Sequence, residues 1–430
     1  MASRIFLLSL LCMVFLAPLH ANAARLWSSG CEFQGNNPGN ATADLEFTID
    51  FQDAADTTID STIKRSGLSS CRANTDSNDI ASFQHRFSSG STNDLYIRFY
   101  LYIATTPGQT TDILTLYQND TDEAGAVVLN TNRTLSWAND GATIAGTSVV
   151  ALRTATWYRI DLNFDASSQA IILVDGTTVV DVTADAPDAA IAGFGICQGT
   201  GHVCDQGSGD LYFDDMAIND NTGSTQNSWP GPGKIVHLQP DSAGDTDNST
   251  TTPTGWQQVD EITPDDITTT AWLDADNDIL DVNLESHSSA GIDPNSSITF
   301  VSPGIRSVVD GVAGATWQLG LKSQSSGTIV NGTAQVHNDR TWKTNGDINP
   351  SFPGNYTLHS FTDPQAGGPW TPLLLDSMQI RASTTEATPD VGISTLWALV
   401  EYVIPQARIG LKNARIKFSG GRILLRSTNQ

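Results

Sequence analysis

The feature that most constrains the fold is a two-residue alternation of apolar and polar side chains, which recurs along the chain. The segment Tyr158–Phe164 is a clear example, because every second residue in it is apolar. An alternation of this kind is typical of an antiparallel strand with one buried face. No segment of helical length carries a sustained 3.6-residue apolar period. The sequence therefore predicts an all-β protein built from β-sandwiches or jelly rolls.

Composition and turn signals agree with this prediction. Of the 47 acidic residues, seven are Glu and forty are Asp. Asp favours turns and caps, whereas Glu favours helix interiors. Asp175-Gly176 lies between the apolar runs Ala170–Val174 and Thr177–Val182. Such a dipeptide is a strong signal for a hairpin with a two-residue turn.

The sequence divides into two β-rich parts joined by a linker. Residues 221–233 have no periodicity and end in the tetrapeptide Pro-Gly-Pro-Gly, which predicts a Gly/Pro linker. Residues 24–220 are then predicted to form a jelly roll and residues 234–407 a second β-sandwich, in tandem. Residues 408–430 form a basic, strand-like C-terminal tail.

The first 23 residues are predicted to be a secretory signal peptide. An apolar run from Ile5 to Leu19 follows Arg4, and Ala21 and Ala23 fit the −3 and −1 positions of a cleavage site. The run is too short for a comfortable membrane span, and no later stretch approaches 18 apolar residues. We therefore expect a secreted, extracellular or cell-surface protein without a transmembrane segment.

The charge of the chain limits its partners. The net charge is −25 at pH 7, from 47 Asp and Glu against 22 Lys and Arg. Since Lys and Arg hold the phosphates of nucleic acids and of anionic membranes, neither is expected to bind the body of the protein. Residues 408–430 differ, because they hold six Lys or Arg and no acidic residue.

Four cysteines, Cys31, Cys71, Cys197 and Cys204, follow the predicted signal peptide. An even number in an exported chain predicts two disulfides, for which three pairings exist. Proximity favours Cys31 with Cys71 and Cys197 with Cys204, and the alternative is that the thiols are free and buried. The spacing excludes a CxxC metal or redox site.

The strand sequences of the first part resemble those of a known family. LYIRFYLYIA at Leu95–Ala104 is followed by TWYRIDLNFD at Thr156–Asp165, AIILVDGTTV at Ala170–Val179 and GDLYFDDMAIND at Gly209–Asp220. In order and spacing these segments resemble a concanavalin A-like jelly roll of the laminin G/pentraxin type. The following stretch, WPGPGKIVHLQPDSAGDT, resembles the second β-sandwich of phage tail and other virion-like structural proteins.

The resemblance implies a fold and not one function, because that fold serves lectins, glucanases and structural modules. A hydrolase of this family carries E-x-D-x-x-E on one strand, which supplies paired carboxylates. The nearest sequence here, Glu46 to Asp50, has the wrong spacing and no second Glu. The sequence also contains no GxSxG, HExxH or P-loop motif. We therefore predict that the protein is not an enzyme.

Asp210, Asp214 and Asp215 are the candidate metal ligands. Adjacent strand residues point to opposite faces, so only one of Asp214 and Asp215 is expected to face the core. The other, with Asp210 and loop carbonyls, would offer hard oxygen ligands to Ca²⁺ at the rim of the sandwich. The resemblance implies calcium in some members of the family. The alternative is a solvated strand end.

The basic tail has strand character and suggests self-assembly. The candidate assembly strand consists of Arg408, Ile409, Leu411, Lys412, Arg415, Ile416, Lys417 and Phe418. A basic strand can add to the sheet edge of another acidic copy through main-chain hydrogen bonds, with opposite charges fixing the register. Such a head-to-tail contact builds a filament. The alternatives are a tail that packs on its own domain or frays, and a tail that anchors the protein at an outer surface.

Two functions are open on this basis. The leading hypothesis is a non-enzymatic secreted structural protein that assembles into an extracellular filament or surface layer. The alternative is a secreted monomeric lectin-like module that binds glycans, with or without Ca²⁺. Exposed Trp or Tyr beside Asp and Asn on a concave face would favour the module, and an apolar groove between open sheet edges would favour the filament. The tryptophans considered for stacking on sugars, against a role in the core, are Trp27, Trp137, Trp229, Trp256, Trp342 and Trp370.

Overall fold

The computed structural model describes most of residues 24–405 and two short strands beyond them. The predicted signal peptide, residues 1–23, lies outside the described residues. Also outside are 33–46, 48–56, 76–81, 92–93, 120–121, 141–142, 166–168, 186–188, 198–201, 203, 205–206, 208, 251–253, 263–268, 312–313, 338–339, 341, 346–355, 386–387, 406–416, 420–421 and 425–430.

In the described residues before 221, fourteen strands form two antiparallel sheets. They are β1 (Arg25–Ser29), β2 (Thr57–Asp60), β3 (Ser70–Thr75), β4 (Phe83–Ser91), β5 (Leu95–Ile103), β6 (Thr111–Tyr117), β7 (Glu123–Leu129), β8 (Thr134–Asn139), β9 (Thr143–Ala151), β10 (Trp157–Asp165), β11 (Gln169–Val174), β12 (Thr177–Thr183), β13 (Ile191–Ile196) and β14 (Gly209–Asp220). An eight-stranded sheet has the order β12-β11-β10-β5-β14-β3-β2, with β1 also paired to β14. A six-stranded sheet has the order β4-β13-β6-β7-β8-β9.

The two sheets face each other across one apolar core. Trp137 from β8 and Phe164 from β10 belong to different sheets, yet their ring centroids lie 5.3 Å apart and both side chains are buried. Burying a large apolar side chain stabilises the fold by about 1.5–3 kcal/mol. The predicted hairpin is also confirmed: Asp175 and Gly176 join β11 to β12 with φ values of 50° and 82°, as a turn with both central residues left-handed requires. The fold is therefore a β-sandwich, as predicted.

The strands from residue 234 onward form a second pair of antiparallel sheets. They are β15 (Lys234–Leu238), β16 (Pro240–Asp247), β17 (Ala271–Leu273), β18 (Ile279–Leu284), β19 (Ser297–Val309), β20 (Ala315–Lys322), β21 (Ile329–Asn331), β22 (Gln335–His337), β23 (Lys343–Thr344), β24 (Gln379–Thr384) and β25 (Val391–Val403), with a 3₁₀ turn (Gly255–Gln258) and a short helix, α1 (Pro372–Leu375). One sheet has the order β15-β25-β19-β23, with β17 on β25, and the other the order β16-β18-β24-β20-β21, with β22 on β20. Within the described ranges, no helix has the length and apolar character needed to cross a membrane.

The two sandwiches contact each other through a small apolar cluster. It consists of Ala217 from β14, Ile235 from β15, Phe300 from β19, and Trp397 and Leu399 from β25. All five side chains are fully buried. The eight-stranded sheet of the first sandwich therefore packs against the β15-β25-β19 sheet of the second.

The structure contains two disulfides, and their pairing is the one that proximity favours. Cys31 is bonded to Cys71 across a sequence separation of 40 residues, and Cys197 to Cys204 across seven. All four cysteines are buried. Structural disulfides persist in oxidising compartments, so the pair fits an extracellular protein.

Most of the predicted assembly strand lies outside the described residues. The residues that lie outside the described part of the chain are Arg408, Ile409, Leu411, Lys412, Arg415 and Ile416. Lys417 and Phe418 fall in β26 (Lys417–Ser419), which pairs antiparallel with β27 (Arg422–Leu424). The filament hypothesis consequently stays a prediction.

Candidate functional site

The outer face of the eight-stranded sheet carries an unusual set of side chains. Along β5, the odd-numbered residues are buried in the core and the even-numbered residues point to the other face, as the alternation requires. In many strands such a face carries small polar residues. Here the four even-numbered residues are Tyr96, Arg98, Tyr100 and Tyr102.

At one end of this face, the strand register brings Tyr102 into a line with three large side chains from other strands. Tyr102 of β5 is opposite Trp157 of β10 on one side and Tyr212 of β14 on the other, and Tyr212 is opposite Arg72 of β3. We call Arg72, Tyr212, Tyr102 and Trp157 the aromatic row. The ring centroids of Tyr102 and Trp157 are 5.3 Å apart, and those of Tyr102 and Tyr212 are 5.8 Å apart.

The rings of the aromatic row are partly accessible and differ in direction. Trp157 and Tyr102 are half-buried, whereas Tyr212 is only 4% exposed. The planes of Tyr102 and Trp157 are inclined by 50°, and those of Tyr102 and Tyr212 by 90°. The row therefore presents angled aromatic surfaces and not one flat platform.

A partly exposed ion pair lies at one end of the aromatic row. Arg72 donates from Nε to Asp210 Oδ1 at 2.8 Å and from Nη2 to Asp210 Oδ2 at 3.2 Å. The Arg72 guanidinium also lies 5.8 Å from the centre of the Tyr212 ring. The hydrogen bond to Asp210 raises the pKa of Arg72, and the nearby charge of Asp60 contributes to this shift. Apolar ring surface thus lies beside a paired donor and acceptor.

Loop ends fix the position of the aromatic row at the rim of the sandwich. The N–H of Ala104, just after β5, donates to the carbonyl of Asp210, and the N–H of Ala155, just before β10, donates to the carbonyl of Ile103, both at 2.9 Å. Gly209 has φ 84°, and a Cβ there would lie 2.7 Å from the carbonyl oxygen of Thr105. Glycine is therefore required where β14 enters the row.

The structure places the predicted calcium ligands in two different environments. Asp210 lies on the outer face in the ion pair described above. Asp214 and Asp215 are fully buried, because a bulge in β14 with Asp215 at φ 50° turns both side chains toward Arg65 and Ser66. The expectation that one of the two faces the core and the other faces outward is wrong. Both turn toward Arg65 and Ser66, because a bulge interrupts the alternation.

The oxygens of the two buried aspartates are occupied by hydrogen-bond donors. Asp214 accepts from the backbone N–H groups of Arg65 at 2.7 Å and Ser66 at 3.3 Å. Asp215 accepts from the Ser66 hydroxyl and the Ile235 N–H, both at 2.5 Å, and from the Arg65 guanidinium. Burial raises the pKa of Asp214 well above its usual range, and the charge of the neighbouring Asp215 adds a smaller shift in the same direction. In the part of the chain that the structure describes, no three His, Cys, Asp or Glu side chains are grouped to hold a metal ion.

A buried ion triad joins the two sandwiches on the same outer face. Glu401 of β25 accepts from Arg98 Nη1 at 2.5 Å, from Arg25 Nη2 at 3.0 Å and from the Thr299 hydroxyl at 3.0 Å. The side chains of both arginines are fully buried, and that of Glu401 is 2% exposed. Burial alone would raise the pKa of Glu401, but the two arginines hold it below its usual value. This arrangement is structural, because solvent and ligands do not reach it.

Among the described residues, Ser302 and His359 come nearest to a nucleophile and a base, and the serine is buried. The Ser302 hydroxyl lies 2.6 Å from Nδ1 of His359. The Ser302 side chain has no exposed surface, so a substrate cannot approach its hydroxyl. The pKa of His359 is lowered to about 3, mainly by burial and to a smaller extent by the positive charge of Arg25. The pair lies beside the ion triad and packs against the Phe300 ring, whose centroid is 5.6 Å from that of His359.

The low pKa of His359 gives a prediction for acid stability. An unfolded histidine has a pKa of about 6.5 and binds a proton before the folded one does. Neutral His359 therefore contributes fully to the free energy of unfolding above pH 6.5. As the pH falls from 6.5 toward 3, this contribution is lost, by up to about 1.4 kcal/mol per pH unit. We expect His359→Asn to flatten the fall in unfolding free energy between pH 6.5 and 4, measured by urea unfolding. Equal slopes for the variant and the natural protein would contradict the assignment.

The aromatic row was not predicted from the sequence. Of the tryptophans considered for stacking on sugars, Trp27, Trp137 and Trp370 are buried in the two cores. Trp229 packs edge-on against Tyr96, with centroids 5.4 Å apart, and so holds the linker against the other end of β5. The available signal was the outward-facing tyrosines of β5, since the alternation alone assigns them to the outer face.

Comparisons with known proteins identify no family for the chain. No protein-family model matches it, and no curated protein matches it. Among solved structures, a cellulose-induced protein is 14% identical with a TM-score of 0.29, and the match covers 38% of this chain and 84% of that one. A carbohydrate-binding module from Bacillus subtilis is 11% identical with a TM-score of 0.27, covering 38% and 92% of the two chains. A Trypanosoma rangeli sialidase is 10% identical with a TM-score of 0.28, covering 38% and 27%.

Proposed function

We propose that the protein is a secreted, non-enzymatic carbohydrate-binding protein whose ligand lies across the aromatic row. The observation that carries this proposal is the position of half-buried Trp157 and Tyr102 beside the Arg72–Asp210 ion pair. A sugar ring offers C–H surface on its faces and hydroxyl groups around its edge. Binding sites for small ligands combine apolar and aromatic walls with a few placed polar groups.

The chemistry of the row fits this ligand better than it fits a purely structural role. Aromatic rings that stabilise only a fold are normally enclosed in a core, as Trp137 is. Trp157 and Tyr102 lie on the face opposite the core of their own sandwich and keep part of their surface accessible. Aromatic side chains that are apolar on one side and wet on the other are enriched where proteins bind partners.

Other features support the same proposal. The two disulfides fit an extracellular protein, as does the predicted signal peptide. The resemblance of residues 24–220 to concanavalin A-like jelly rolls implies a fold that lectins use. Binding through the aromatic row needs no Ca²⁺, so we expect chelators to leave it unchanged.

The proposal predicts that Trp157→Ala weakens glycan binding by about 30-fold or more, which corresponds to about 2 kcal/mol. The substitution removes the accessible ring of the row and leaves the cores intact. Binding is measured on an array of soluble oligosaccharides and then by titration calorimetry with the best ligand found.

Trp342→Ala is the matched control, because Trp342 is also half-buried but lies in the second sandwich. We expect this variant to bind as the natural protein does. If the natural protein binds no carbohydrate on the array, or if Trp157→Ala binds equally well, the proposed site is wrong.

A further inference from the structure

We propose that the aromatic row takes a neutral glycan in solution and discriminates against both anionic glycans and crystalline polysaccharide surfaces. In this arrangement the Arg72–Asp210 ion pair binds neighbouring hydroxyl groups of the sugar, while Trp157 and Tyr102 contact its ring. The inference rests on the proposed function and specifies its ligand. Its evidence is the ion pair between Arg72 and Asp210 and the angles between the ring planes of the aromatic row.

The charge state of the row disfavours an anionic ligand. Arginine recognises carboxylate and phosphate groups best when its fork of N–H donors is free for a bidentate contact. Here one edge of the Arg72 fork, Nε and Nη2, is already used by Asp210. Asp60 adds a second negative charge close to Arg72. The net charge of −25 also repels polyanions from the protein as a whole.

The same ion pair is well suited to hydroxyl groups. The side chains are 28% exposed for Arg72 and 23% exposed for Asp210. A guanidinium has five N–H donors and a carboxylate about four acceptor positions, so both groups keep hydrogen-bonding capacity after they pair. Two neighbouring hydroxyl groups, each a donor and an acceptor, can therefore bind to the pair at once without changing its net charge.

The ring directions disfavour a flat, crystalline surface. A plane can lie against several rings only if those rings are coplanar. The planes in the aromatic row are inclined by 50° between Tyr102 and Trp157 and by 90° between Tyr102 and Tyr212. A flat polysaccharide surface could lie on one ring at most, whereas a free chain can turn its sugar ring between two of them.

The test uses three ligand groups with the full mature chain. They are neutral soluble oligosaccharides, uronic acid and sulfated oligosaccharides, and insoluble crystalline cellulose. We expect binding to the neutral group, with little dependence on salt, and a loss of about 30-fold or more in Trp157→Ala. Trp342→Ala serves again as the control for unaltered binding.

The variant Asp210→Ala separates this inference from general damage to the site. It frees the fork of Arg72, so we expect weaker binding of neutral glycans and a gain in affinity for the anionic group that disappears at high salt. Damage alone would lower both affinities. That result would overturn the role given to the ion pair.

The outcomes also separate the inference from the proposed function. Trp157-dependent binding of anionic oligosaccharides or of cellulose by the natural protein would overturn the inference and leave carbohydrate binding at this site standing. No binding to any of the three groups would contradict the proposed function itself. Binding that does not depend on Trp157 would place the glycan elsewhere and overturn both.

Discussion

Replacing Glu401 by glutamine is expected to lower the free energy of unfolding by about 3–5 kcal/mol. Glutamine has the shape of the natural side chain but no charge. Arg25 and Arg98 would therefore stay buried without the anion that both contact. The loss is measured by urea or guanidinium unfolding at pH 7, with tryptophan fluorescence as the signal.

Asp210→Asn provides the control for this experiment. It also removes one carboxylate from an ion pair with arginine, but Arg72 and Asp210 are 28% and 23% exposed. Exposed pairs contribute little, so the expected loss is below about 1 kcal/mol. Equal losses in the two variants would show that burial of the triad does not determine its contribution.

The effect of Glu401→Gln should also depend on pH. The folded-state pKa of Glu401 lies below its usual value because Arg25 and Arg98 stabilise the ionised form. The stability that ionised Glu401 contributes is therefore present above the unfolded pKa, about 4.3, and is lost as the pH falls through the folded pKa. The difference between the natural protein and the variant should shrink in acid. A difference that stays constant down to pH 2 would contradict this charge-based explanation.

Replacing Cys31 and Cys71 by alanine together is expected to cost about 4 kcal/mol. The bond joins residues 40 positions apart, and closing a loop of this length removes much of the conformational freedom of the unfolded chain. The bond also holds the start of the first sandwich to β3, which pairs with β14. The measurement is chemical unfolding of the double variant under non-reducing conditions.

The second disulfide provides an internal comparison. Cys197 and Cys204 are only seven positions apart, so the same chain-entropy argument gives about 2.4 kcal/mol for their double replacement. We expect the loss for the longer loop to be about 1.7 times that for the shorter one. If the shorter loop costs as much as the longer one, the stabilisation does not come mainly from the unfolded chain.

The sequence predicted the strands whose two faces differ. β5, β10 and β11 were anticipated, because polar and apolar residues alternate or because an apolar run is bounded by turn signals. Strand β7 was not anticipated. All seven of its residues are buried, so both faces of the strand lie away from water and the alternation is absent.

The site was harder to predict than the strands. Alternation shows that Tyr102 and Tyr212 face away from the core, but it does not show which strands lie side by side. The row exists because β3, β14, β5 and β10 are consecutive in the sheet although they are far apart in sequence. The environment of Asp214 and Asp215 was missed for a local reason, since the bulge that buries both depends on the left-handed conformation of Asp215.

The ion triad also determines the order in which the protein can be completed during synthesis. Glu401 is 303 residues after Arg98 and 376 residues after Arg25. A ribosome adds about 5–20 residues per second. Arg98 is therefore synthesised roughly 15–60 s before the Glu401 carboxylate that it contacts. During that time Arg25 can donate to Asn219 and Ser28, and Arg98 to the Asp215 carbonyl, but neither guanidinium has the charge of Glu401 beside it. Docking of the sandwiches is therefore a late event, and a ribosome that stalls before residue 401 leaves a first sandwich whose docking face is still open.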